Sequence, residues 1–320
     1  MPNIFACKQR LALPPDALEQ VSARFADPRF DPGVAQWAEV FAHPDFANGE
    51  IIVIEIARLQ PERKSTYDTF IQALRRNTEQ VGGSIIAVTD ILFPGTGDLE
   101  SHMNFAGGTA WLARFPSRAA YIAMVLNPTY QQVAASRQAA LEEVILLIAG
   151  SNTIPRAASL LFGPERPASV FKTPYLDGKS PTQLVDALLQ IYPDGGADPS
   201  RAQLTRMTDY AGFATEPLYF LNLYAFAPGE AATQEASEHQ EYNRQALATV
   251  RAHGGHPYLR ATVEHALVTA IPWSLVVFVR WPSAAVFTDL RLTPAYIEAQ
   301  RHRVQAAQTY GNFVTTKRHA

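Results

Sequence analysis

Residues 115–137 read FPSRAAYIAMVLNPTYQQVAASR, and residues 281–303 read WPSAAVFTDLRLTPAYIEAQRHR. Laid over each other at an offset of 166, the two stretches agree at seven of 23 positions without a gap, among them Pro116 with Pro282, Ser117 with Ser283, Tyr130 with Tyr296 and Arg137 with Arg303. Average composition does not give that density of matches. The agreement runs outward: Phe5 meets Phe171 and Leu18 meets Leu184 at offset 166, Pro32 meets Pro199, Phe46 meets Phe213 and Pro61 meets Pro228 at 167, and Gly82-Gly83 meets Gly254-Gly255 at 172. The chain therefore reads as a tandem duplication. Its expected boundaries are a first repeat over 1–150, a linker over 151–166 and a second repeat over 167–320. The length changes fall between elements, where insertions are tolerated.

Each repeat spells the same order of elements. Pro14-Pro15-Asp16 and Ser180-Pro181 are helix starts, so two short helices open each copy, near 16–26 and 33–42 and again near 182–192 and 200–210. The runs Ile51-Ile52-Val53-Ile54-Glu55-Ile56 and Leu218-Tyr219-Phe220-Leu221-Asn222-Leu223 are too apolar to be half exposed and read as strands covered on both faces. A long amphipathic helix follows in each copy, over 62–80 and 232–252, stopped by its Gly-Gly pair. Then come a strand pair (84–93 with 108–115, and 258–267 with 274–281), a helix capped by Ser117 or Ser283, a second helix restarted at Asn127-Pro128 or Thr293-Pro294, and a last strand (144–149 and 312–316). The core order is β-α-β-β-α-β, a ferredoxin-like arrangement. The expected class is α+β: two ferredoxin-like units, each preceded by a short helical segment, forming an intrachain pseudo-dimeric α/β barrel. The second unit covers the sheet face that the first leaves bare.

Composition narrows the functional classes. The 27 basic and 30 acidic residues are dispersed and leave a net charge of −3, so no basic face for nucleic acid stands out. No apolar run approaches the ~20 residues of a membrane span, and no membrane partner is expected. Cys7 is the single cysteine, which rules out an intrachain disulfide and fits a reducing cytoplasm. His253-x-x-His256 straddles the Gly-Gly turn rather than one helical face, so no metal site is expected, and no motif calls for a cofactor. A homodimer is the further assembly that the sequence allows. The glycines at 95, 97, 107 and 108 lack the strand-to-helix context of a phosphate loop and read as a flexible hairpin or lid.

Candidate functional residues come from polar groups at apolar positions. Asn222 sits in mid-strand, where an unpaired amide would cost about 1–3 kcal/mol, and Glu55 holds the equivalent place in the first repeat. Arg303 and Arg137 are the cations available to them. Glu55 and Arg137 read either as a structural pair or as ligand-binding groups. Five of the eight histidines lie between 239 and 302, and the first-repeat counterparts of His239, His256 and His302 are Tyr67, Ser84 and Ser136. That asymmetry points to a site in the second repeat. His302 is expected to act as acid or base, Arg303 to hold an anionic or enolate oxygen, and Asn222 and Tyr242 to orient the ligand. Tyr130 and Tyr296 read as core.

The residues Leu221-Asn222-Leu223, Tyr242, Gly254-Gly255, Trp281-Pro282-Ser283, Pro294-Ala295-Tyr296 and His302-Arg303, with Phe115-Pro116-Ser117-Arg118, Met124, Asn127-Pro128, Tyr130 and Arg137, resemble a domain-of-unknown-function branch of the dimeric α/β-barrel superfamily. Glu55 and Ser136 depart from the Asn and His of that pattern. The resemblance implies the barrel fold. The superfamily includes cofactor-free oxygenases, cyclases, isomerases, dehydratases and haem enzymes, so it implies no one reaction. The expectation is a cofactor-independent small-molecule enzyme of isomerase, cyclase, dehydratase or monooxygenase type, acting on an apolar or aromatic metabolite between sheet and helices. A non-catalytic ligand-binding or protein-interaction barrel and a haem-binding barrel enzyme are the alternatives.

Overall fold

In the computed structural model the described residues are 13–24, 27–96, 104–150, 164–193, 198–226, 230–305 and 309–318. Cys7, most of the expected linker and the centre of the expected lid lie outside them. The first half contains α1 (Ala17–Arg24), α2 (Val34–Ala42), β1 (Ile51–Leu59), α3 (Lys64–Gln80), β2 (Ser84–Thr96), β3 (Thr109–Phe115), α4 (Arg118–Leu126), α5 (Pro128–Ala140) and β4 (Leu141–Gly150). The second half contains α6 (Pro181–Ile191), α7 (Arg201–Thr208), β5 (Leu218–Ala225), α8 (Glu230–Ala252), β6 (His256–Val268), β7 (Leu275–Trp281), α9 (Ala284–Arg291), α10 (Pro294–Gln305) and β8 (Thr309–Lys317).

Local chemistry sets the helix ends. Ser117 accepts a hydrogen bond from the Ala120 amide and Ser283 from that of Val286, while Asn127 caps the proline-led α5. Ser180 and Ser200 each form a reciprocal capping box with the glutamine three residues on. Gly82 and Gly254 stop the long helices at φ of 79° and 68°, a left-handed conformation that other residues adopt only with strain.

The strands form one closed antiparallel barrel in the order β1-β3-β2-β8-β5-β7-β6-β4. Each half contributes four adjacent strands, and the seams are β2 with β8 and β4 with β6. Alternate residues therefore face two different environments. Ile52, Ile54 and Ile56 of β1 meet Leu221, Leu223, Val276 and Phe278 inside the barrel. Ile51, Val53 and Ala57 point outward and are covered by helices of the first half, as Leu218 and Phe220 are by helices of the second. Glu55 and Asn222 share this outward phase, so each lies under a helical layer rather than in the barrel lumen. No described helix is long and apolar enough to cross a membrane.

Candidate functional site

The register of the barrel makes two comparable places, one under each helical layer. Glu55 lies opposite Trp111 on β3 and Leu146 on β4, and Asn222 lies opposite Val277 on β7 and Asn312 on β8. The long helices add Tyr67 and Phe70 at one place, His239 and Tyr242 at the other, matching at the sequence offset of 172. Helices α5 and α10 add Arg137 and Arg303. Asp31 and Asp198, ahead of β1 and β5, complete the correspondence at offset 167.

In the first half this place is filled. Arg137 Nε donates to Glu55 Oε2 at 2.7 Å, its Nη1 to Asp31 Oδ1 at 3.2 Å and its Nη2 to the Phe30 carbonyl at 3.0 Å. Tyr67 donates its hydroxyl to Glu55 Oε1 at 2.5 Å. Burial works most strongly against the Arg137 cation, but Glu55, Tyr130, Asp31 and Tyr67 together outweigh it and hold the guanidinium above its ordinary pKa. Burial likewise raises the Asp31 carboxyl, with Arg137 pulling the other way. Trp37 and Trp111 close over the group, leaving about 20 Å³, little more than one water needs. Glu55 and Arg137 thus form a structural ion pair in a packed interior.

In the second half the same place is open. Leu204 replaces Trp37 and Val277 replaces Trp111, and a cavity of about 310 Å³ lies between sheet and helices. Its walls include Phe93, Met207, Phe220 and Phe287, and its polar groups include Asn222, His239, Tyr242, Arg291 and Arg303. Asn222 is held by neighbours other than Arg303: its Oδ1 accepts from Tyr310 Oη and Asn312 Nδ2, both at 2.5 Å, and its Nδ2 donates to the Val277 carbonyl at 3.1 Å. Tyr242 and Tyr296 share a hydroxyl contact of 3.1 Å, and burial pushes the Tyr242 phenol well above its usual pKa. Arg303 is buried, donates to Gln300 and to Asp198 at 3.0 Å, and lies over the Tyr310 ring at 4.7 Å.

Two cavity groups did not follow from sequence reasoning. His239 is 2% exposed and neither ring nitrogen has a hydrogen-bond partner; its neighbours are the rings of Tyr224, Phe226 and Tyr242. Burial, reinforced by the charges of Arg260 and Arg303, lowers its pKa to about 4. The imidazole is therefore neutral near pH 7. Arg291 is 3% exposed, stacks on Tyr192 at 4.2 Å, and approaches Asp198 only to 3.8 Å. Its Nε and Nη2 have no hydrogen-bond partner. Both had a signal in the alignment of the two halves: His239 stands where the first half has Tyr67, and Arg291 where it has the apolar Val125.

His302 is not among the residues lining the cavity. Its Nδ1 meets Glu238 Oε2 at 2.6 Å and its Nε2 meets Gln245 at 3.1 Å, tying α10 to α8 at the half-exposed helix surface. His302 and Arg303 are consecutive on α10, so their side chains point about 100° apart, and of the two Arg303 lines the cavity. His253 bonds to the Thr249 carbonyl and to Asp289, while His256 packs against Tyr258. Among the described residues no group of three or more potential metal ligands converges.

No family model matches the chain. No curated protein matches it either. Among solved structures it is similar to an anthrone oxidase-like protein, at 8% identity and a TM-score of 0.46, covering 85% of this chain and 92% of that one. It is similar to chlorite dismutase of Candidatus Nitrospira defluvii in complex with imidazole, at 10% identity and a TM-score of 0.40, covering 88% of this chain and 94% of that one. The methylated RPA0582 protein of Rhodopseudomonas palustris matches 40% of this chain over 97% of its own length, at 21% identity and a TM-score of 0.35. These are distant likenesses of fold.

Proposed function

We propose that the two halves are repeats of one ferredoxin-like unit joined as a pseudo-dimer, and that the second repeat works as a small-molecule enzyme without a cofactor. Its substrate is an apolar or aromatic metabolite, and its reaction is of isomerase, cyclase, dehydratase or monooxygenase type. One observation carries the reading. His239 is a buried imidazole with both nitrogens unpartnered on the wall of an apolar cavity, and a native interior rarely leaves such a group unsatisfied unless a ligand meets it. As a neutral ring it accepts a proton from an acidic C–H or O–H of the substrate. Arg303 then stabilises the enolate or phenolate oxygen that results, and Tyr242 and Asn222 orient the rings.

The test is a panel of phenols, enolisable aryl ketones and quinols, followed by oxygen uptake and by exchange of substrate protons in deuterated water. Turnover of a panel member should fall by about two orders of magnitude in His239→Ala and stay within threefold in Ser136→Ala, on the outer side of the first repeat. Tight binding of panel members with neither exchange nor oxidation would instead make the chain a binding protein. The same unpartnered ring also satisfies the one requirement of axial haem ligation. A Soret band on titration with hemin, lost in His239→Ala, would favour that second reading.

A further inference from the structure

The cavity and the filled place in the first half differ in charge as well as in volume. In the first half one buried cation, Arg137, faces two buried carboxylates, Glu55 and Asp31. In the second half two buried cations, Arg303 and Arg291, share one carboxylate among the described residues, Asp198. At the cavity rim Arg244 is matched by Glu241 and contributes no excess. The carboxylate that is missing is the one at the Glu55 position, where the second half has a neutral amide already satisfied by Tyr310 and Asn312.

Hydrogen-bond capacity tells the same story. The buried polar atoms around the cavity that lack a partner include three donors, Arg291 Nε and Nη2 and Gln203 Nε2, against one pure acceptor, Asn312 Oδ1; the His239 ring supplies one donor and one acceptor. A buried guanidinium with N–H groups left without an acceptor, as Arg291 is, is costly, and an anion is the ligand that offsets it best.

We infer that the cavity takes an apolar ligand carrying a single negative charge, a carboxylate or a phenolate or enolate, seated among Arg303, Arg291 and His239. The Glu55 carboxylate of the first half, gripped by Arg137 and Tyr67, is an internal copy of that bound anion. This rests on the proposal that the cavity is a ligand site, and it adds what the ligand must carry.

Two probes of one shape separate the claims: 2-naphthoate and its neutral counterpart 2-naphthamide, measured by titration calorimetry on the full chain near neutral pH. Naphthoate should bind at least tenfold more tightly than naphthamide. Arg291→Val, which installs the first-half residue, should weaken naphthoate at least tenfold and change naphthamide less than threefold. Asn222→Glu should do the same by supplying the carboxylate from within, and Arg291→Val decides the matter if that variant does not fold. Equal binding of the two probes, or a preference for naphthamide, would overturn the anion while leaving the cavity a ligand site. A naphthoate preference untouched by Arg291→Val would overturn the placement among these groups. Binding of neither probe would remove the anion inference and the small-molecule reading together.

Discussion

Arg137 and Arg303 occupy equivalent helical positions and are both buried, yet the first is enclosed with Glu55 and Asp31 in a packed interior, whereas the second, paired with Asp198, lines an open cavity. His239 shows the same economy from the other side. In the unfolded chain a histidine protonates near 6.5, whereas in the fold burial holds His239 at about 4. As pH falls through 6.5 the unfolded state takes up the proton first, so the stability that His239 contributes is full above that value and is lost progressively towards pH 4. The gap corresponds to roughly 3 kcal/mol. His265, lowered to about 4 by burial and by Arg118 and His43, acts with the same sign. His239→Phe should therefore flatten the decline in urea-unfolding free energy between pH 7 and pH 4 by about half, and an unchanged decline would show that the ring is solvated.

At the scale of elements, most of the order was legible because its signals are local. Serine caps, proline at the first helical turn, Gly-Gly stops and apolar runs of strand length each act within a few residues, and each of these signals occurs in both halves of the sequence. Which side of an amphipathic helix faces the sheet was less legible: nothing in the sequence separates His302, on the surface between α10 and α8, from His239, on the cavity wall. The phase of α8 is set by packing of Ala246 and Val250 against β5 and β7 together with α10, a tertiary fact with no counterpart in the run of residues. The opening of the cavity was equally hidden, since it depends on cross-strand neighbours: Trp111 opposite Glu55 against Val277 opposite Asn222. Those registers give a direct expectation. Val277→Trp should fill the second-half cavity as Trp111 fills the first, so binding of 2-naphthoate should fall at least tenfold. Overpacking should cost no more than about 1–3 kcal/mol because the space already exists. Full binding in that variant would place the ligand elsewhere.

At the scale of the molecule, the barrel closes only because each half lends its outer strands to the other. Closure leaves no edge strand with unpaired amides, the usual hazard of an antiparallel sheet. It also makes the inner core joint property: Ile52, Ile54, Leu112 and Leu147 from one half pack with Leu221, Leu223, Val276 and Phe313 from the other. A fragment of residues 1–150 would keep its own outer core, where Trp37, Tyr67, Phe70 and Trp111 are buried, but would present β2 and β4 as open edges and its whole inner face to water. An exposed apolar patch of that kind is an association surface. The fragment should therefore sediment as a dimer or larger species, with a symmetric copy standing in for the second half, and adding a separately made fragment of residues 164–320 should convert it to a one-to-one complex with recovered near-ultraviolet circular dichroism. A stable monomer of residues 1–150 with a sharp unfolding transition would mean that the inner core contributes little, and that each half is a complete fold which the other merely accompanies.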